Sequence, residues 1–213
     1  TVDFYVTPDF RRPSKSISQE LTVLGDFGRT SFILGAYYFH ENYTWSDFAV
    51  FGVVGAAATF GIPVGSIFTL GTSSRINNVA GYGEVTHSFT DSLRLNLGLR
   101  VNHEANTFSQ SSSFLAFGVP LVVSTFKVNS TKLWPKVALL YDFSPDVHGY
   151  AQWTRGYKSG GSNPGSPGVV VPGYKPENLD AYEIGIKSQF LDRRLTANVS
   201  AFYYKYTDLQ VFN

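Results

Sequence analysis

Between residues 93 and 102 the chain alternates without a break. Leu93, Leu95, Leu97, Leu99 and Val101 are aliphatic, while Arg94, Asn96, Gly98, Arg100 and Asn102 are polar or glycine. Side chains on a β-strand point alternately to opposite faces, so this period predicts a strand with one apolar and one wet face. A run of this length is about what crosses a bilayer when tilted. The period recurs downstream. Leu133, Pro135, Val137, Leu139, Tyr141 and Phe143 stand opposite Lys132, Trp134, Lys136, Ala138, Leu140 and Asp142. Tyr182, Ile184, Ile186 and Phe190 stand opposite Ala181, Glu183, Gly185, Lys187 and Gln189. Leu195, Ala197, Val199, Ala201 and Tyr203 stand opposite Thr196, Asn198, Ser200, Phe202 and Tyr204. Upstream, Ile17, Leu21 and Val23 alternate with Ser18, Glu20 and Thr22, and a further run covers residues 31–40. Segments 79–89 and 147–157 fit strands less cleanly, because Gly81, Gly83 and Gly149 lie inside them. The pattern predicts about eight strands. Strands of a soluble sandwich alternate in the same way, so no single strand identifies the fold.

The connections add the discriminating feature. Tight turns are expected at 25–28, 89–91, 144–146 and 191–193, and long loops at 42–78, 104–130 and 158–178. Short and long links alternate, which places all tight turns at one end of the strands and all long loops at the other. Transmembrane barrels have that asymmetry. Residues 48–64 are apolar enough to resemble a membrane helix, but Gly52, Gly55, Gly61 and Pro63 weaken a helix interior. A long loop holding at most a short helix is expected there. The second loop carries Ser109-Gln110-Ser111-Ser112-Ser113, and the third carries Gly160, Gly161, Pro164, Pro167, Pro172 and Pro176.

Composition narrows the class. Charged residues make up 15% of the 213 residues and the net charge is +1, which argues against a nucleic-acid binder. Thirteen Tyr, eighteen Phe and three Trp suit a protein with rings at an interface. Tyr37, Tyr38, Phe39, Trp153, Tyr157, Phe202, Tyr203, Tyr204 and Tyr206 cluster near strand ends, as an interfacial girdle requires. Cysteine is absent, so no disulfide framework, thiolate metal site or cysteine nucleophile is expected. Methionine is absent too, and the opening residues have no basic stretch before an apolar one, so no signal peptide is expected there.

Candidate chemistry is sparse. His40, His87, His103 and His148 are scattered without metal-ligand spacing, and no nucleophile–base constellation stands out. Neither an enzyme nor a metal or cofactor site is expected. His40-Glu41 and His103-Glu104 each fall where a strand gives way to a predicted loop, as ordinary polarity on one rim. Glu183 and Lys187 share one row of a strand, and Arg94 and Arg100 share another, which suits a charged network lining a wet interior. Gly156–Gly161 is glycine-rich with a lysine but lacks phosphate-loop spacing.

The last third of the chain carries an ordered set of motifs: Gly156-Tyr157-Lys158-Ser159-Gly160-Gly161, then Tyr174-Lys175-Pro176-Glu177, then Tyr182-Glu183-Ile184-Gly185-Ile186-Lys187-Ser188. The run LDRRL from Leu191 and the run AFYYKYTDLQ from Ala201 follow. In this order they resemble the barrel domain of TonB-dependent outer-membrane receptors, especially those for iron–siderophore uptake. Upstream, SQELTV, GAYYFHEN and GYGEVTHSFTDSLRLNLGLR are similar to earlier strands of that barrel. The resemblance covers nearly the whole chain. It implies an antiparallel transmembrane β-meander, about eight strands of a barrel of about 22. Residues 1–213 would then be a partial barrel domain from mid-barrel, without the plug domain, the TonB box or the remaining strands. The implied setting is the bacterial outer membrane, with outer-membrane lipid around the wall and a ferric siderophore or similar nutrient as cargo. The TonB–ExbB–ExbD complex would act through the missing N-terminal region. The resemblance selects no ligand-binding residue, although Trp134, Trp153 and loop tyrosines could meet an aromatic siderophore. Two other readings stay open: a small eight-stranded outer-membrane barrel with an adhesin or structural role, and a secreted β-sandwich binding module.

Overall fold

The computed structural model describes residues 12–51, 66–114, 119–162 and 173–211. They form one antiparallel sheet of β1 (Ser14–Phe27), β2 (Thr30–Phe51), β3 (Ser66–Ser88), β4 (Leu93–Phe114), β5 (Val119–Ser144), β6 (Val147–Lys158), β7 (Glu177–Phe190) and β8 (Leu195–Thr207). The strands pair strictly in chain order. Among the described residues β1 and β8 each have a partner on one side only, and no second sheet lies over the first. This is neither a sandwich nor an eight-stranded barrel closed on itself.

Register explains why the period-2 pattern matters. Leu21, Ala36, Gly81, Val101 and Leu133 form one unbroken cross-strand row from β1 to β5. Val137, Trp153, Tyr182 and Tyr203 continue the same face from β5 to β8. This face is open: Leu97, Leu99 and Val101 are 47%, 48% and 39% exposed. The polar face is closed, with Asn96, Asn102 and Glu104 at 6%, 2% and 3%. A single sheet buries one face without a covering layer only by curving around it. The polar side is therefore the inner, concave one, and the apolar side looks outward.

Two expected loops are largely strand. Residues 42–51 and 66–78 continue the β2–β3 ladder, and 104–114 and 119–130 continue the β4–β5 ladder. The cause is compositional. Past Val101 the outward residues become His103, Thr107 and Ser109, so the apolar alternation fades while hydroxyl-bearing and β-branched residues still favour extended pairing. Reading alternation alone ends each strand where its apolar band ends. The resulting strands of 22, 23, 22 and 26 residues project well beyond the band, whereas β6 and β8 have only 12 and 13. Of the expected apolar loop, the portion 52–65 lies outside the described residues.

Some glycines inside strands seat rings, and none of those described interrupts pairing. Gly35 lies directly opposite Tyr82, and Gly185 opposite Tyr150, with a Cβ at either glycine colliding with the ring. The turns at the other end are short. β1 and β2 meet at Gly28-Arg29, a few residues beyond the expected 25–28, because Gly28 supplies the φ of +59°. Arg29 reaches the next turn, donating to Phe89 O at 3.1 Å and Asp91 Oδ1 at 3.0 Å.

Candidate functional site

The inner face carries nearly all of the chain's organised polar chemistry, in tiers from the tight turns upward. Nearest the turns, Asp142 Oδ1 accepts from Arg94 at 2.9 Å and lies 2.6 Å from His148 Nδ1. Beside it, Lys136 Nζ meets Glu84 Oε2 at 3.1 Å, and Asn96 donates to Glu84 Oε1 at 2.8 Å. Glu183 accepts from the Tyr150 hydroxyl and from Gln152 Nε2 at 3.0 Å. Lys187 stands over the Tyr150 ring, 5.7 Å from its centre. All of these residues except Glu84 border a shallow basin of about 400 Å³. Glu183 and Lys187 therefore both contact Tyr150.

One tier higher, the Arg100 guanidinium sits 5.3 Å from the rings of Tyr37 and Trp134 and 5.6 Å from that of Tyr82. Arg94 and Arg100 share a face but serve different clusters: one is held by a carboxylate, the other by three π faces. Cation–π contacts of this kind contribute about 0.5–2 kcal/mol each, depending on desolvation.

Above the apolar band Glu104 is 3% exposed and heavily bonded. It accepts from the Tyr157 hydroxyl, from Ser130 Oγ at 3.1 Å and from Asn106 Nδ2 at 3.3 Å. Lys132 stands 5.3 Å over the Tyr157 ring, and Trp134 lies 6.2 Å from it. Strict alternation would put Tyr157 outside. It reaches the inner cluster where β6 has parted from β5, whose pairing ends at Lys136–Thr154.

Three of the motifs that mark the last third meet at one place. Gly161 and Tyr174 exchange backbone hydrogen bonds of 3.2 and 2.8 Å, closing the neck of the third loop. A Cβ on Gly160 would strike the backbone around Tyr174 and Lys175, and one on Gly161 would strike the Tyr174 ring. Gln210 pins the neck from β8's end: its side chain donates to Ser159 O and Lys175 O, both at 3.0 Å, and its backbone N–H to Glu177 Oε2 at 2.8 Å. Lys158 is exposed and Pro176 half-buried at this neck. The runs GYKSGG, YKPE and TDLQ therefore build one clasp. Its Gln210 carries no signal in the sequence beyond membership of the last run.

The two histidine–glutamate pairs do not form a rim. They fall inside strands, so neighbours point to opposite faces. His40 bonds Asn77 at 2.7 Å on the outer side, while Glu41 accepts from Ser14 at 2.7 Å on the inner side. His103 likewise bonds Thr131 outside while Glu104 turns inward. The aromatic girdle is present in part. Trp153, Tyr182 and Tyr203 form an outward row at the upper edge of the apolar band, joined by Tyr38 on β2. Tyr37, Tyr157, Phe202, Tyr204 and Tyr206 belong to the inner face or to the loops' end of the wall instead.

An open, curved antiparallel sheet with an apolar outer belt, a polar inner face and tall hairpins at one end defines a wall segment of an outer-membrane-type β-barrel. Residues 2–213 match the family described as TonB dependent receptor-like, beta-barrel, and the chain belongs to that family. Solved structures share the fold. The ferric yersiniabactin uptake receptor FyuA of Yersinia pestis superposes with a TM-score of 0.80 at 18% identity, over 97% of this chain and 30% of that one. The siderophore receptor PiuA of Acinetobacter baumannii gives 0.64 at 16% identity, over 90% and 31%. The ferric-catecholate import receptor Fiu of Escherichia coli K12, in its closed form, gives 0.62 at 16%, over 92% and 32%. The chain thus spans about a third of the length of the structures it resembles.

Proposed function

We propose that this chain forms part of the wall and three of the outer connections of an outer-membrane receptor that imports a scarce nutrient, a ferric siderophore, under TonB control. The observation that carries the reading is the division of the sheet into an apolar outer belt and an organised polar inner face beneath projecting hairpins. The belt faces lipid, which tolerates no open sheet edge, so β1 and β8 pair with further strands of the same barrel.

The inner face has two tasks in this reading. The lower tier around Arg94, Glu84, Asp142 and Glu183 meets a plug domain filling the barrel. Supporting this, Arg94 Nε and Asn96 Oδ1 are buried in that tier without a partner among the described residues. Such groups are costly unless a second polar surface or water meets them. The upper tier of Arg100, Lys132, Trp134 and Tyr157 offers π faces and cations to a ligand captured from outside. The receptors resembling this fold are described as taking up ferric yersiniabactin or ferric catecholates, and we carry over that class of cargo. Release inward would follow rearrangement of the plug, pulled by the TonB–ExbB–ExbD complex through an N-terminal segment. The wall itself binds, orients and confines; no bond is made or broken, and no enzymatic step is invoked.

The test is uptake of a radiolabelled ferric siderophore by iron-starved cells carrying the full-length receptor. Uptake should require both the receptor and TonB, and Trp134→Ala combined with Lys132→Gln should weaken ligand binding about tenfold or more. Equal uptake in cells lacking the receptor, across a panel of ferric chelates, would contradict the assignment.

A further inference from the structure

The wall splits between β5 and β6, and a proline sets where. Two hydrogen bonds at the turns fix which way each backbone group points. Asp142 N–H donates to Ser92 O at 2.8 Å, so even-numbered residues of β5 turn their backbone groups to β4 and odd-numbered ones to β6. Gln189 N–H donates to Asp146 O at 2.9 Å, so even-numbered residues of β6 serve β7 and odd-numbered ones serve β5. The two assignments agree in the pairs Leu139–Ala151 and Val137–Trp153. The next such pair would be Pro135 with Arg155. Proline has no N–H to give, and the ladder stops one residue short, at Lys136–Thr154.

Above the split, one edge of β5 runs on without a partner. Leu133, Thr131, Asn129, Lys127, Thr125 and Val123 turn N–H and C=O toward it. All six are exposed, and among the described residues no strand lies against them. The other edge of β5 stays paired to β4 as far as Ser112–Val122. From Thr131 upward the edge stands beyond the apolar belt, in water rather than lipid. Thr131 to Val123 spans roughly 27 Å, room for a strand of about nine residues.

A row of free N–H and C=O groups is a template for an extended chain, and charge decides which one it takes. Between Val119 and Pro135 the only charged residues are Lys127 and Lys132, and Arg155 and Lys158 stand on β6 across the split. The carboxylates around it are already engaged. Asp180 is held by Arg155, Glu177 by the Gln210 N–H, and Glu104 by Tyr157, Ser130 and Asn106. A second copy of the same edge would bring only cations to cations, which disfavours it. We propose that the free edge of β5 docks an extended acidic segment of another protein, which joins the sheet as one more strand. Backbone hydrogen bonds supply the hold, and Lys127 and Lys132 select the charge. Import of cargo plays no part in this contact, so the two readings fail separately.

The test uses the full-length receptor in phosphatidylcholine nanodiscs and fluorescence anisotropy of labelled peptides of about ten residues, matched to the span of the edge. The probes are a peptide alternating threonine with glutamate, its lysine counterpart, and the glutamate peptide N-methylated at every residue. The glutamate peptide should bind at least about tenfold more tightly than the lysine one, and N-methylation should abolish binding. Asn129→Pro removes one N–H from the free edge while leaving the β4 ladder its donors, and should weaken binding about tenfold or more. Lys127→Glu should weaken the glutamate peptide by a similar factor and strengthen the lysine peptide. Heat-modifiable gel mobility checks that each variant is folded. Failure of the glutamate peptide to bind, equal binding of the two charged peptides, undiminished binding of the N-methylated one, or full binding kept by both folded variants would overturn the proposal.

Discussion

At the scale of single residues, much of the inner face hangs on carboxylates that collect several donors. Glu104 is the clearest, with Tyr157, Ser130 and Asn106 converging on it. Tyr157→Phe removes the hydroxyl and leaves part of a buried carboxylate unmet. The urea midpoint of the full-length receptor refolded in vesicles should fall, by about 1–3 kcal/mol in stability. An unchanged midpoint would mean that Tyr157 does not anchor Glu104. Leu191, Asp192 and Arg193 form a different kind of site, three successive non-glycine residues with φ of 54°, 53° and 66°. The left-handed region costs an L-residue roughly 1–2 kcal/mol. Leu191→Gly should therefore raise the same midpoint slightly, by about 0.5–1 kcal/mol after its own entropic cost; a fall would show that the leucine side chain outweighs its backbone. The sequence LDRRL announces a turn but not three successive positive φ values, because among these residues only Asp192 is of a type that readily adopts them.

At the scale of elements, alternation made the strands legible and also set where reading them stopped. Leu93 to Val101 and Leu133 to Phe143 could be assigned to a face from sequence because one face is uniformly apolar. The same logic failed past His103 and before Thr131, where both faces are polar and nothing marks the face or the end of a strand. Pairing persists there because antiparallel partners stay in register through Thr69–Ser113 and Ser109–Thr125, bridged at 2.7 and 3.2 Å. Glycines misled in the other direction. Gly81, Gly83 and Gly149 weakened two strands on paper, yet pairing runs through all three, and at Gly149 the missing side chain leaves room for the Phe143 ring. Gly35→Val should displace Tyr82, which also donates to Glu20 at 2.7 Å and stacks on Arg100. Loss of that seat should slow refolding into vesicles and cost about 1–3 kcal/mol, as overpacking does; pairing the change with Tyr82→Ala should recover part of the loss. No recovery would mean that the ring is not what the valine meets.

At the scale of the whole molecule, one division organises everything: lipid-compatible residues outside, hydrogen-bonded charges inside, hairpins rising past the belt. The motifs located this wall within its family, and the period-2 pattern located its faces. The inner clusters were legible only as rows; that Glu183 meets Tyr150, or that Tyr37, Tyr82 and Trp134 enclose Arg100, depends on cross-strand register, which no single strand encodes. The central claim is that residues 93–102 cross a bilayer with odd positions outward. The chain contains no cysteine, so single cysteines introduced along this stretch of the full-length receptor report one position each. Labelled with an environment-sensitive fluorophore in vesicles, positions 95, 97, 99 and 101 should be quenched by a lipid-borne quencher and shielded from an aqueous one. Positions 96, 98, 100 and 102 should be indifferent to the lipid quencher. Equal aqueous quenching at odd and even positions would contradict the account.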